Sequence, residues 1–214
     1  MRVSWQVMIF AMDVNWKESD DFPSNEKDMN VLNLIGEEDL TNFTFDGLKR
    51  RLGVHSETLS RILCRLEEQG LVEKQNEGYR VTAKVKELVQ SFPVSDGPQL
   101  LVMQTLLSPD VPVQQVVSDL SGRWFGVLRW LGYSENRERF TLKWITEDGG
   151  VQISAIFSGN QLSIEAKLLH EKDLNVALEA SYQLIGLIAK FYSGRTRIRH
   201  VAYFGDFKPH LMFM

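Results

Sequence analysis

Apolar residues recur at helical spacing in the second quarter of the chain. Phe45, Leu48 and Leu52 lie three and four residues apart, so they share one face of a helix. Thr44 is a favourable N-cap for this helix, and Gly53 is a favourable residue at its end. We therefore expect a short amphipathic helix over residues 45–52.

A second helix follows after a short turn and leads into a hairpin. It begins at His55 or Ser56 and ends at Gly70, where a left-handed residue costs little. Strand-like runs at 71–74 and 79–81 come next, and the Asn and Gly between them favour a tight turn. The apolar residues on the inner face of the second helix are Leu59, Ile62, Leu63 and Leu66.

The segment TLSRILCRLEEQGLVEK, followed by a hairpin and YRVT, resembles the winged helix of MarR- and ArsR-type transcription regulators. The resemblance covers about residues 28–92. A short helix, expected from Glu26 and closed by Gly36, corresponds to the usual first helix of a winged-helix domain. It implies a homodimer that binds double-stranded DNA. Unlike the ArsR-type metal sensors, this helix carries no Cys pair and no set of His ligands, so we expect no metal site and no cofactor.

The outer face of the second helix carries side chains that can read base edges. We expect base contacts from Ser56, Glu57, Ser60, Arg61 and Arg65. Arg61 is the first choice for a specific contact, because arginine can bridge O6 and N7 of guanine. Phosphate contacts, which supply affinity and register, are expected from Thr44, Lys49, Arg50, Lys74 and Arg80. The alternative is a solvated, charged helix face.

Beyond the hairpin, the pattern of apolar positions changes from helical to alternating. Two prolines and a glycine in residues 92–98 mark a boundary that divides the chain into residues 1–92 and 99–214. A strand over 99–107 and a helix opened by Pro112 come first. Four alternating runs then predict an antiparallel meander. Their apolar residues are Trp124, Leu128 and Trp130; Phe140, Leu142 and Trp144; Val151, Ile153, Ala155 and Phe157; and Leu162, Ile164, Ala166 and Leu168.

Hairpin turns are expected at 134–136, 148–150 and 158–160. A long helix capped by Asp173 follows, and a last strand is expected at 198–207. The apolar stripe of that helix comprises Leu174, Leu178, Ser181, Ile185, Ile188 and Tyr192. The order of these elements resembles that of helix-grip and TATA-binding-protein-like domains. The predicted fold is therefore α+β, with an N-terminal winged helix-turn-helix domain and a C-terminal antiparallel sheet packed by a long helix.

The aromatic face of the meander is the one feature of this region that indicates a ligand. We expect Trp124, Gly126, Trp130, Phe140, Trp144 and Phe157 to line a pocket for a small apolar effector. The glycines Gly126 and Gly132 on the same face would leave gaps beside the large rings. Ordinary core packing of the rings is the alternative.

Two apolar surfaces are candidates for the interface of a homodimer. One is an amphipathic helix over residues 3–16, which includes Trp5 and Met12. The other is a second apolar side of the long helix, formed by Leu184, Leu187 and Phe191. Either surface would need cover from outside its own domain.

Charge and composition further limit the functions and chemistry that we expect of this chain. The net charge is −4, but residues 44–87 carry nine Lys and Arg against seven Asp and Glu, a local +2. This modest excess predicts DNA binding that depends on dimerisation and base contacts more than on bulk charge. The single cysteine, Cys64, excludes an internal disulfide; we expect a partly buried structural thiol, with a redox sensor as the alternative.

The sequence contains no catalytic motif. Phosphate-binding glycine motifs, nucleophile elbows and HExxH are absent, and the four histidines are scattered, so we expect no enzyme and no catalytic residues. No apolar run approaches the length of a membrane span, and a cytoplasmic protein is expected. The alternative to a DNA-binding regulator is a winged-helix module that binds protein.

Overall fold

The computed structural model describes residues 25–85, 99–107, 109, 111–169 and 174–192. The expected helix over 3–16, the boundary at 92–98 and the last strand over 198–207 lie outside the described residues. The helices are α1 (Glu26–Glu37), α2 (Phe45–Leu52), α3 (Ser56–Glu68), α4 (Val113–Leu120) and α5 (Leu174–Tyr192). The strands are β1 (Asn42–Phe43), β2 (Val72–Gln75), β3 (Gly78–Val81), β4 (Gln99–Leu106), β5 (Leu128–Asn136), β6 (Arg139–Thr146), β7 (Val151–Ser158) and β8 (Gln161–Leu168).

All eight strands belong to one antiparallel sheet, in the order β2-β3-β1-β5-β6-β7-β8-β4. The predicted α+β class is confirmed. None of the helices in the described part of the chain is long and apolar enough to cross a membrane.

Helices α2 and α3 form where the apolar spacing predicts them. The Thr44 hydroxyl accepts a hydrogen bond from the Gly47 N–H at 3.1 Å, which satisfies a free donor in the first turn of α2. Gly53 ends α2 with a φ of 64°, and Gly70 has a φ of 67° after α3. The predicted inner residues of α3, Leu59, Ile62, Leu63 and Leu66, are all buried. They form one core with Leu48, with α1 and with the base of the β2–β3 hairpin.

The alternating runs of β6, β7 and β8 are also confirmed. Their apolar positions face a second core, which α4 and α5 cover. The first turn of the meander differs from the expectation, because β5 continues to Asn136 and pairs there with Arg139. The turn therefore lies at residues 137–138 instead of 134–136.

The buried side of α5 differs from the predicted stripe. Its most buried positions are Ala177, Ala180, Ser181, Leu184 and Ile188. Ile185 is only partly buried against the same core. Small residues fit closest to the sheet, so the alanines displace larger apolar residues from the centre of the contact. Leu184 is 0% exposed, and its expected place in a dimer interface is wrong; the Phe191 side chain lies outside the described residues.

The short strand β1 joins the two halves of the sheet. It pairs with β3 on one side and with β5 on the other. Its flanking residues reinforce the junction, because the Thr41 N–H donates to the Tyr133 carbonyl at 2.8 Å and the Thr44 N–H donates to the Leu131 carbonyl at 2.9 Å. The hairpin and the meander are thus parts of one hydrogen-bonded sheet.

Candidate nucleic-acid interface

Helix α3 presents polar side chains on the side opposite its buried stripe. Ser56, Glu57, Ser60 and Arg61 are all exposed. Because residues three and four positions apart are neighbours on a helix, Glu57, Ser60 and Arg61 form one continuous surface. Four of the five residues expected to read bases are thus exposed on one side of α3.

Arg61 and Glu57 form an ion pair on this surface. The Arg61 Nη2 lies 2.6 Å from the Glu57 Oε1, and the two side chains are 72% and 78% exposed. An exposed pair of this kind contributes little to stability, about 0.3–0.5 kcal/mol on a helix. Either side chain can therefore be released to a partner at small cost.

Arg65, the fifth expected base-reading residue, keeps 40% of its side chain exposed, but its guanidinium is engaged by α1. Its guanidinium holds both carboxylate oxygens of Asp28 on α1, with Nε at 2.9 Å from Oδ2. Asp28 is 2% exposed, and its hydrogen bonds raise the pKa of Arg65 above its ordinary value. Arg65 thus anchors α3 on α1 and fixes the angle at which α3 is presented.

The expected phosphate contacts divide into two groups. Lys74 and Arg80 are exposed on the hairpin, and Lys49 lies beside the start of α3, with its Nζ 3.3 Å from the Ser56 Oγ. The hydroxyl of Thr44 instead caps α2 and donates to the Trp130 carbonyl at 3.1 Å. Arg50 lies over the Trp124 ring, 5.6 Å from its centroid. Thr44 and Arg50 are therefore engaged within the fold. Lys49 also lies 3.8 Å from Asp46, whereas Lys74 and Arg80 project from the hairpin into solvent.

The same surface also carries acidic side chains. Exposed carboxylates occupy the second half of α3 and the hairpin, at Glu67, Glu68, Glu73 and Glu77. Cys64 lies among them and is exposed, so the expectation of a partly buried thiol is wrong. Its hydrogen bond to Glu68 and that carboxylate's charge raise the pKa of the Cys64 thiol, which lowers its reactivity as a thiolate.

A buried ionic cluster holds the N-terminal helices against the sheet. The Glu38 carboxylate, directly after α1, accepts from Lys143 at 2.9 Å, Lys167 at 3.0 Å and Arg51 at 3.2 Å. Gln152 donates to it at 2.6 Å. Burial alone raises the pKa of Glu38, but the Lys143 charge and the hydrogen bonds from Lys143 and Gln152 outweigh it. The pKa of this carboxyl therefore lies well below its ordinary value.

The aromatic residues of the meander do not form the expected pocket. Trp144 and Phe157 are buried in the core, Phe140 packs against its edge, and Trp130 meets Trp144 edge to face with centroids 5.2 Å apart. Trp124 and Gly126 precede β5, and Trp124 is 58% exposed. The expectation that all of them share one inner face is wrong, because the strand begins only at Leu128.

Among the described residues, no group of three or more His, Cys, Asp or Glu side chains could hold a metal ion. Comparison with known proteins adds nothing to the assignment. No protein-family model, no curated protein and no solved structure matches this chain.

Proposed function

We propose that this protein is a transcription regulator that binds double-stranded DNA sequence-specifically as a homodimer. In this proposal α2, α3 and the β2–β3 hairpin are a winged helix of the MarR/ArsR type, and α3 enters the major groove. The observation that supports it is the division of α3 into two sides. Its apolar stripe is wholly buried, whereas Ser56, Glu57, Ser60 and Arg61 are exposed.

The surroundings of α3 fit this role. Lys49 flanks the first turn of α3, and Lys74 and Arg80 lie on the hairpin, where phosphates beside the groove would pass. The pair between Arg65 and buried Asp28 holds α3 rigid, so that few degrees of freedom are lost on binding.

Arg61→Ala is expected to lower the affinity for a specific site by about 1–3 kcal/mol, while affinity for random duplex changes little. The physical reason is that the guanidinium contacts base edges, which random duplex does not match. Lys74→Ala is the matched control, since a phosphate contact contributes equally on every sequence. Competition titrations with both duplexes measure the difference. Equal losses on the two duplexes for Arg61→Ala would contradict the base-reading role.

A homodimer supplies the second half-site that one short recognition helix cannot read. We expect light scattering of the full chain at micromolar concentration to give a mass near twice the 24.6 kDa of one chain. The measurement is repeated across a tenfold range of concentration to separate a stable dimer from weak association. A mass of one chain throughout would remove the dimer from the proposal.

The acidic part of the surface favours a second candidate, a module that uses the same face to bind a basic protein. Glu67, Glu68, Glu73 and Glu77 lie beside the proposed DNA contacts and would repel a phosphate backbone. Salt alone does not separate the candidates, because both are electrostatic. Binding to duplex DNA separates the candidates. A full chain that binds duplex DNA directly supports the regulator, and a full chain that binds a basic peptide but no DNA supports the module.

A further inference from the structure

A cleft of about 620 Å³ lies between the hairpin and the segment that leads into β5. Its walls come from both halves of the sheet. Phe43 and Tyr79 belong to β1 and β3, whereas Trp130 and Tyr133 belong to β5, and Trp124 lies just before it. The volume is in the range of sites that hold small molecules, about 300–1,000 Å³.

The walls of this cleft are aromatic and already ordered. The rings of Phe43 and Tyr79 stack with centroids 5.6 Å apart and planes within 13° of parallel. Trp130 is buried, and the Tyr133 hydroxyl accepts a hydrogen bond from the Asn42 amide. Phe43 is buried as well, whereas Tyr79 is half-buried and Trp124 is exposed, so a planar ring can reach the last two.

A buried acceptor in the wall lacks a partner. The Asn42 Oδ1 makes no hydrogen bond within the described residues, although its surface is closed to solvent. A buried acceptor left without a donor destabilises the protein. A small shift of this side chain towards a donor group on a ligand would recover that cost.

Carboxylates outnumber bases among the described residues that line the cleft. Asp46 and Glu77 are exposed carboxylates, and Arg123 is the single basic residue among the described lining residues. Outside the lining, Arg50 and Arg129 lie over the Trp124 ring, 5.6 Å and 5.1 Å from its centroid, so this ring already meets cations. Arg129 also pairs with Glu147 at 2.7 Å, and Lys49 lies 3.8 Å from Asp46. Aromatic faces next to carboxylates are the arrangement that recognises organic cations.

We propose that this cleft binds a planar aromatic molecule that carries a protonated amine. The ring packs against Tyr79 and Trp124, and the ammonium group faces Asp46 and Glu77. Because the hairpin forms one wall, the bound ligand changes how the hairpin is held. Where the hairpin contacts DNA, the ligand thereby alters DNA affinity, a consequence that rests on the function proposed above.

The test uses three probes with the same ring and different charge: 2-naphthylmethylamine, 2-naphthalenemethanol and 2-naphthoic acid. Isothermal titration calorimetry of the full chain at pH 7, without DNA, measures each dissociation constant. The amine is expected to bind at least about tenfold more tightly than the acid, with the alcohol between them. Equal affinities, tighter binding of the acid, or no binding of the amine at millimolar concentration would overturn the proposal.

Two variants with matched controls locate the site. Trp124→Ala is expected to weaken amine binding about tenfold, whereas Tyr182→Ala, which removes an exposed ring on α5, leaves it unchanged. Glu77→Gln is expected to weaken the amine about threefold without affecting the alcohol, and Glu73→Gln on the same hairpin changes neither. Equal effects of a variant and its control would overturn the location.

DNA affinity is measured separately, with and without the amine. A change that Trp124→Ala abolishes supports the coupling to the hairpin. Amine binding by a protein that binds no duplex would refute the proposed function and leave the ligand site standing. An unchanged DNA affinity in a protein that binds both would overturn the coupling alone.

Discussion

Glu38→Gln is expected to lower the free energy of unfolding by about 3–5 kcal/mol, the loss typical of removing one partner from a buried ion pair. The substitution keeps the shape of the side chain but removes its charge. Lys143, Lys167 and Arg51 would then converge on a neutral amide with no counter-charge among them. Urea denaturation of the full chain at pH 7 measures the change.

Glu37→Gln, one position earlier on α1, is the matched control for this effect. Its side chain is more exposed, and we expect a change within about 0.5 kcal/mol. A loss of less than 1 kcal/mol for Glu38→Gln would show that the cluster does not hold the N-terminal helices on the sheet.

The same cluster predicts a dependence on pH. The pKa of Glu38 is lower in the folded protein than in the unfolded chain, so its contribution is fully present above the unfolded value of about 4.3. It is lost as the pH falls towards the folded value. The difference in stability between the natural protein and Glu38→Gln should therefore shrink as the pH is lowered below about 4.

Gly132→Ala is expected to lower stability by about 3 kcal/mol, at the upper end of the cost of overpacking. A methyl group at this position would lie 2.1 Å from the Asn42 carbonyl oxygen and 2.8 Å from the Phe43 Cα. Both are backbone atoms of β1 and cannot rotate away. β1 and β5 would have to separate, which breaks the junction between the hairpin and the meander.

Gly150→Ala provides the control for the loss of a glycine itself. A methyl group there would meet only the Asp148 carboxylate, at 3.5 Å, and we expect a change within about 0.5 kcal/mol. Urea denaturation of both variants measures the comparison. Equal stability of the two variants would contradict the close approach of β1 to β5.

The local elements of the fold could be predicted from the sequence because their signals are local. Leu59, Ile62, Leu63 and Leu66 repeat at helical spacing, and Gly70 stands where α3 ends. The alternating apolar residues of β6, β7 and β8 likewise predict which face of each strand is buried. β1 could not be predicted, because a strand of two residues is too short to show an alternating pattern.

The long-range polar pairs could not be predicted. Lys143 and Lys167 occupy the outward positions of their strands, where a lysine normally meets water. These lysines are buried only because α1 and α2 dock on that face of the sheet. The spacing of residues in the sequence does not predict such a contact. The pairing of Arg65 with Asp28 could not be predicted for the same reason, since Asp28 lies 37 positions away on another helix.

The predicted ligand pocket is wrong because β5 begins later in the sequence than expected. Alternation from Trp124 to Trp130 holds only if the strand begins before Trp124, but it begins at Leu128. Gly126 lies in a turn with a φ of 48°, a backbone conformation that favours glycine. Of the six expected pocket residues, only Trp124 and Trp130 line the cleft beside the hairpin.

Sequence-specific binding to duplex DNA is the central claim, and one measurement tests it most directly. Duplexes enriched by the full chain from a randomised library are titrated against a scrambled duplex of the same length and composition at several salt concentrations. We predict at least about a thousandfold tighter binding to the enriched duplex. The logarithm of each affinity should fall linearly with the logarithm of the salt concentration. Equal affinity for both duplexes, or a library from which no sequence is enriched, would contradict the claim.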